Sequence, residues 1–67
     1  MRKPIGERIL DYRSEAMLTQ KEIADLLEVN VLSVHRYEHN LTTPHISNQR
    51  RMHKILDRLE AELNGNV

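Results

Sequence analysis

The sequence predicts an all-α domain of four helices, or five, and three observations carry that prediction. Apolar residues recur at helical spacing: Ile23, Ala24 and Leu27 at i, i+1 and i+4, then Met52, Ile55, Leu56, Leu59 and Leu63 at i, i+3, i+4, i+7 and i+11. Capping signals open helices in the first half of the chain: Thr19 stands three residues before Glu22 in a T-x-x-E capping box, and Asn30 precedes a second apolar run. The chain lacks Trp, Phe and Cys, and Tyr12 and Tyr37 are its only large aromatics. The core is therefore aliphatic, with neither a disulfide nor a thiolate metal site to support it.

Length sets the scale. The 67 residues make one domain, and a chain this small buries only ~60% of its unfolded surface. Dimerisation is a natural source of extra stability. No apolar run reaches membrane length and no signal-peptide pattern opens the chain, so the expected location is the cytoplasm.

The elements follow in order. Met1 to Lys3 form a basic tip placed to touch phosphate, or simply a frayed end. Pro4 suits the first position of a helix, which runs to about Ala16 with Ile5, Ile9, Tyr12 and Met17 as its buried stripe. Gly6 weakens its first turn, and Leu18 inserts between the first two helices. The second helix spans Gln20 to Leu27, with Lys21 and Asp25 on its wet face. Val29 plugs the turn that follows. The third helix runs from Asn30 to His39, burying Val34 and Tyr37, and stops near Asn40. Two helices crossing steeply need a small side chain at closest approach, which Ala24 supplies. The pair reads as a helix-turn-helix. After the loop Leu41 to His45, a last helix runs from about Ser47 to Leu63.

These residues carry a family resemblance. Thr19-Gln20-x-Glu22-Ile23-Ala24-x-x-Leu27-x-Val29, followed by Ser33-Val34-x-x-Tyr37-Glu38, resembles the phage-repressor type of helix-turn-helix, the lambda repressor/Cro-like (XRE-type) DNA-binding family. Ile9-Leu10-x-x-Arg13 upstream and Pro44 downstream extend the likeness over residues 5 to 56. It implies a lambda-repressor-like fold in a small dimeric transcriptional regulator, a repressor above all, that binds double-stranded DNA at an inverted-repeat operator. By family position Val31, Leu32, His35 and Arg36 meet base edges. The resemblance likewise implies a salt bridge between Arg13 and Glu38, a phosphate contact from Gln20, and a loop along the DNA backbone that presents Thr42, Thr43 and His45. Asn30, Ser33, His39, Asn40, Arg50 and Arg51 complete the expected backbone contacts. Two departures stand out: the family's usual glycines between the second and third helices and after the third are replaced here by Glu28 and Asn40. A Glu in the left-handed conformation costs ~1 kcal/mol or more.

Chemistry at the third helix fits those roles. Arg36 is a natural bidentate reader of guanine, and Val31 with Leu32, two exposed aliphatics, match thymine methyls or else a protein partner. The family commonly adds a fifth helix, and this chain reaches Val67 first. Residues 57 to 67 are therefore expected to form a dimerising helix end and tail, with Leu56, Leu59 and Leu63 at the interface; the alternative is a solvated helix end.

Charge is balanced, ten Lys and Arg against ten Asp and Glu, although DNA-binding domains usually carry a basic footprint. Its distribution is uneven: residues 29 to 56 hold Arg36, Arg50, Arg51 and Lys54 against Glu38 alone, together with all four histidines. His35 and His39 have a chelating i, i+4 spacing, but no third ligand stands at a fixed distance, so no metal, cofactor or small-molecule ligand is expected. With no cysteine nucleophile and no glycine-rich phosphate loop, an enzyme is the remotest reading. A protein-interaction or antitoxin-like module on the same fold is the alternative to DNA binding.

Overall fold

The computed structural model describes residues 3–65. Within them the chain forms four α-helices and no strand: α1 Ile5–Ala16, α2 Gln20–Leu27, α3 Val31–Glu38 and α4 Ile46–Leu63. None of these helices is long and apolar enough to cross a membrane. Met1 and Arg2 of the expected basic tip, and Asn66 and Val67 of the expected tail, lie outside the described residues. Lys3 is committed elsewhere, its Nζ pairing with Asp11 Oδ2 at 2.8 Å.

The ends of the first three helices share one construction. After α1, Leu18 N–H donates to the Arg13 carbonyl at 2.9 Å and Met17 N–H to that of Ser14 at 3.3 Å. After α2, Val29 N–H reaches the Ala24 carbonyl at 3.0 Å and Glu28 N–H that of Asp25 at 3.2 Å. After α3, Leu41 N–H reaches Arg36 at 2.9 Å and Asn40 N–H reaches Tyr37 at 3.2 Å. This is the Schellman pattern, which satisfies the last carbonyls by turning one residue left-handed. Met17, Glu28 and Asn40 occupy that position with φ of 59°, 59° and 58°. No glycine serves any of the three.

The first of these turns corrects the expected stripe of α1. Met17 is 89% exposed, because a left-handed residue leaves the helical periodicity that would have aimed it inward. Leu18, one residue on, packs against the core in its place. Gly6 also has a different role from the one expected. A Cβ there would overlap the Tyr37 carbonyl, so glycine is what lets the first turn of α1 meet the end of α3.

The core consists of Ile5, Ile9 and Tyr12 of α1, Ile23, Ala24 and Leu27 of α2, Val34 of α3, and Met52 and Leu56 of α4. α3 packs on both α1 and α2, and α4 lies mainly along α1. Leu56 is fully buried, which removes it from the expected dimer interface: it points from α4 into the centre of the bundle. Leu59 is half-buried at the edge of the core, and Leu63, where α4 outruns the bundle, is 41% exposed.

Candidate nucleic-acid interface

α3 rises from Asn30, whose Oδ1 accepts the Leu32 N–H at 2.8 Å, one of the orphan donors of the first turn. Val34 is fully buried. At ~100° per residue this places Leu32 and Arg36 almost opposite the core, with Val31 and His35 to one side. Val31 is 39% and Leu32 51% exposed; His35 and Arg36 are exposed beside them. The four residues expected at base edges thus share one outward surface. His35 and His39 lie one turn apart with ring centroids at 4.4 Å. Among the described residues no group of three or more His, Asp or Glu could hold a metal ion.

The residues expected at the backbone divide into two groups. His39, Asn40, Thr42, Thr43 and Arg50 are exposed, and their side chains make no hydrogen bond or ion pair among the described residues, although the His35 and His39 rings are in contact. Asn40, Thr42 and Thr43 also border a cleft of about 80 Å³ with Tyr37 and Gln49, far smaller than the ~300–1,000 Å³ of small-molecule sites. The others are drawn into the fold. Asn30 caps α3, Ser33 is half-buried, and exposed His45 caps α4 by accepting the Ser47 N–H on Nδ1 at 3.2 Å.

Two of the residues expected at the backbone have partners within the fold. Arg51 is half-buried and its Nη1 donates to the Leu27 carbonyl at 2.7 Å, so it ties α4 to the end of α2 instead of standing free for phosphate. A carbonyl left over at a helix terminus is a favourable partner for a guanidinium. Gln20 is likewise engaged: its Nε2 donates to Glu38 Oε1 at 3.0 Å.

That contact belongs to a bridge between helices. Arg13 Nε meets Glu38 Oε2 at 2.8 Å and Nη2 meets Oε1 at 3.0 Å, a bidentate fork. Arg13 Nη1 donates further to the Leu18 carbonyl at 3.2 Å. The Glu38 side chain is only 3% exposed. Burial pushes its carboxyl upward, but the hydrogen bonds from Arg13 and Gln20 and the charges of Arg13 and His39 outweigh burial and hold it below its ordinary value.

A second network went unforeseen. Arg8 is buried, and its Nη1 donates to His53 Nδ1 at 2.8 Å while Nη2 reaches Asp57 Oδ1 at 2.9 Å and Glu60 Oε1 at 2.8 Å. The signal was present in the sequence. Arg8 falls inside the Ile5–Ile9–Tyr12 stripe, and His53, Asp57 and Glu60 stand at i, i+4 and i+7 along one face of α4.

Together these pairings sort the charges. Arg8 and Arg13 are spent on acids, and Lys21 faces Asp25 across one turn at 3.3 Å. Arg36, Arg50, Lys54 and Arg58 make no ion pair among the described residues. Glu38, the one acid between residues 29 and 56, is withdrawn from solvent. Acid collects instead around the far ends of α1 and α4. There burial, followed by the charges of Glu62, Glu60 and Glu15, raises the Tyr12 phenol above its ordinary value. A neutral chain thereby keeps four cations outside ion pairs among the described residues.

Comparison with protein families, characterised proteins and solved structures returns no match for the chain.

Proposed function

We propose that this protein is a small, dimeric, sequence-specific DNA-binding regulator of the lambda repressor/Cro-like kind, in which α2 and α3 are the helix-turn-helix and α3 enters the major groove. The observation that carries this reading is the outward face of α3: Arg36, without an ion-pair partner among the described residues, beside exposed Val31 and Leu32, in a segment whose only acid is buried in a bridge. Arg36 reads guanine, the aliphatics meet apolar base edges, and Arg50 and Lys54 with the exposed Thr42 and Thr43 meet phosphate. Leu59 and Leu63 pair with the same residues of a second copy. The operator is an inverted repeat with half-sites ~34 Å apart. Repression follows most simply, because occupying a promoter needs only binding. The cytoplasm of a bacterial host is the setting this implies.

Phosphate contacts are few. Arg50 and Lys54 from each of two subunits give about four such cations, so the logarithm of affinity falls by about 4 for each decade of salt. The test is selection from randomised duplexes at low salt, then titration of the enriched site at rising salt. A palindrome with that slope supports the reading; a folded protein that enriches no sequence refutes it. A protein-interaction or antitoxin-like module is the second reading. Its support is the additional exposure of Leu41 and Ile46 and the zero net charge.

A further inference from the structure

We infer that the α3 surface recognises the C5-methyl group of pyrimidines, so that methylation state, and not only base identity, sets its affinity. This rests on the DNA-binding reading above. Direct hydrogen-bonding readout needs polar side chains, yet Asn30 has its Oδ1 committed to the Leu32 N–H and Ser33 is half-buried. Next to Arg36 and His35, what α3 offers outward is aliphatic: Val31 and Leu32, 39% and 51% exposed.

The major groove displays one apolar group, the methyl on C5 of thymine, and cytosine carries the same group at the same position once it is methylated. Its donor and acceptor atoms differ from those of thymine, but an aliphatic side chain is indifferent to them. Leu32 and Arg36 are four residues apart and therefore ~6 Å along the helix axis. At ~3.4 Å per base pair the methyl and the guanine lie about two base pairs apart. The charge arrangement selects this occupant over an apolar protein groove, because the aliphatics sit in a segment where Arg36, Arg50 and Lys54 make no ion pair among the described residues and the one acid is buried.

The experiment uses the duplex enriched by selection and measures its dissociation constant by fluorescence anisotropy. Each thymine of the half-site is replaced in turn by deoxyuracil, which lacks only the methyl. The critical thymine is then replaced by cytosine or by 5-methylcytosine, each paired with guanine. Losing one buried methyl weakens binding about fourfold. 5-Methylcytosine is expected to bind about fourfold tighter than cytosine at the same position. Leu32→Ala abolishes the thymine–uracil difference at that position while Arg36→Ala retains it; both residues are exposed, and circular dichroism checks that each variant is folded. Constants within twofold for every thymine–uracil pair, or for cytosine and 5-methylcytosine, overturn the methyl inference while leaving DNA binding intact. Absence of any enriched duplex overturns the DNA-binding reading itself.

Discussion

Truncating Glu38 tests how much the bridge between α1 and α3 contributes to the fold. In Glu38→Ala, Arg13 loses both arms of its fork, and Gln20 Nε2 loses its acceptor. Arg13 then retains, among the described residues, only the Leu18 carbonyl at 3.2 Å as an acceptor for its charge. Leaving one member of a fully buried pair uncompensated costs ~3–5 kcal/mol. The Arg13 side chain is 22% exposed, so water recovers part of that and about 2–3 kcal/mol remains. A domain of this length has ~3–10 kcal/mol in total, which makes the loss a large fraction of stability and corresponds to a fall in Tm of ~10–20 °C. The assay is urea unfolding followed by circular dichroism for the native protein, Glu38→Ala, Arg13→Ala and the double variant. A coupling of about 1–2 kcal/mol is expected. Single losses that add to within ~0.5 kcal/mol would refute the argument, showing that the fork is formed without being energetically coupled. Acid should repeat the experiment. The Glu38 carboxyl is held below its ordinary value of 4.5, so the bridge's contribution is complete above that pH. It is lost as pH falls through the lower folded-state value, and this part of the acid limb should vanish in Glu38→Ala.

Four further changes separate packing from recognition. Gly6→Ala drives a Cβ into the Tyr37 carbonyl and is expected to cost at least ~1–3 kcal/mol, read as a lower urea midpoint; an unchanged midpoint would mean that α1 can slide away from α3 freely. Glu28→Gly relieves a left-handed φ of 59° and should raise Tm by several degrees, since relief of ~1 kcal/mol is worth ~4–8 °C in a domain of this size. Leu63→Glu should leave the fold intact but dissociate the dimer and weaken operator binding; an unchanged sedimentation coefficient would eliminate the proposed α4 interface. Arg36→Ala should relax specificity at one base position, losing ~1–3 kcal/mol of discrimination with no change in thermal stability.

Much of the architecture is written locally. Thr19 and Glu22 form the expected capping box, with Glu22 N–H donating to Thr19 Oγ1 at 3.1 Å and Thr19 N–H to Glu22 Oε1 at 2.8 Å. Because those contacts span three residues, the start of α2 is readable without knowing the fold, and so is Asn30 at the start of α3. Arg8 illustrates the opposite case. Taken alone it is one more charge on a surface helix, and its burial depends on acceptors 45 to 52 residues away. Arg51 is a related case: the polar first turn of the last helix, Ser47 to Arg51, points to phosphate, but the carbonyl at Leu27, 24 residues away, holds its guanidinium. Periodicity also failed to separate Leu56 from Leu63. Both lie on one stripe, and only the length of the bundle beneath α4 decides that the first is core and the second is exposed.

The sequence by itself determined the all-helical class, the helix ranges to within a residue or so, and the side chains that α3 turns outward, because helical periodicity and capping act over a few residues. The tertiary structure alone decided which charges remain available. Ten cations and ten anions look neutral as a list, but folding brings Arg8 to Asp57 and Glu60 and Arg13 to Glu38, and leaves Arg36, Arg50 and Lys54 without such partners among the described residues. It also decided that Gly6 is a contact point. Those outcomes depend on which helices touch, and contact between segments distant in sequence is not encoded in any local pattern.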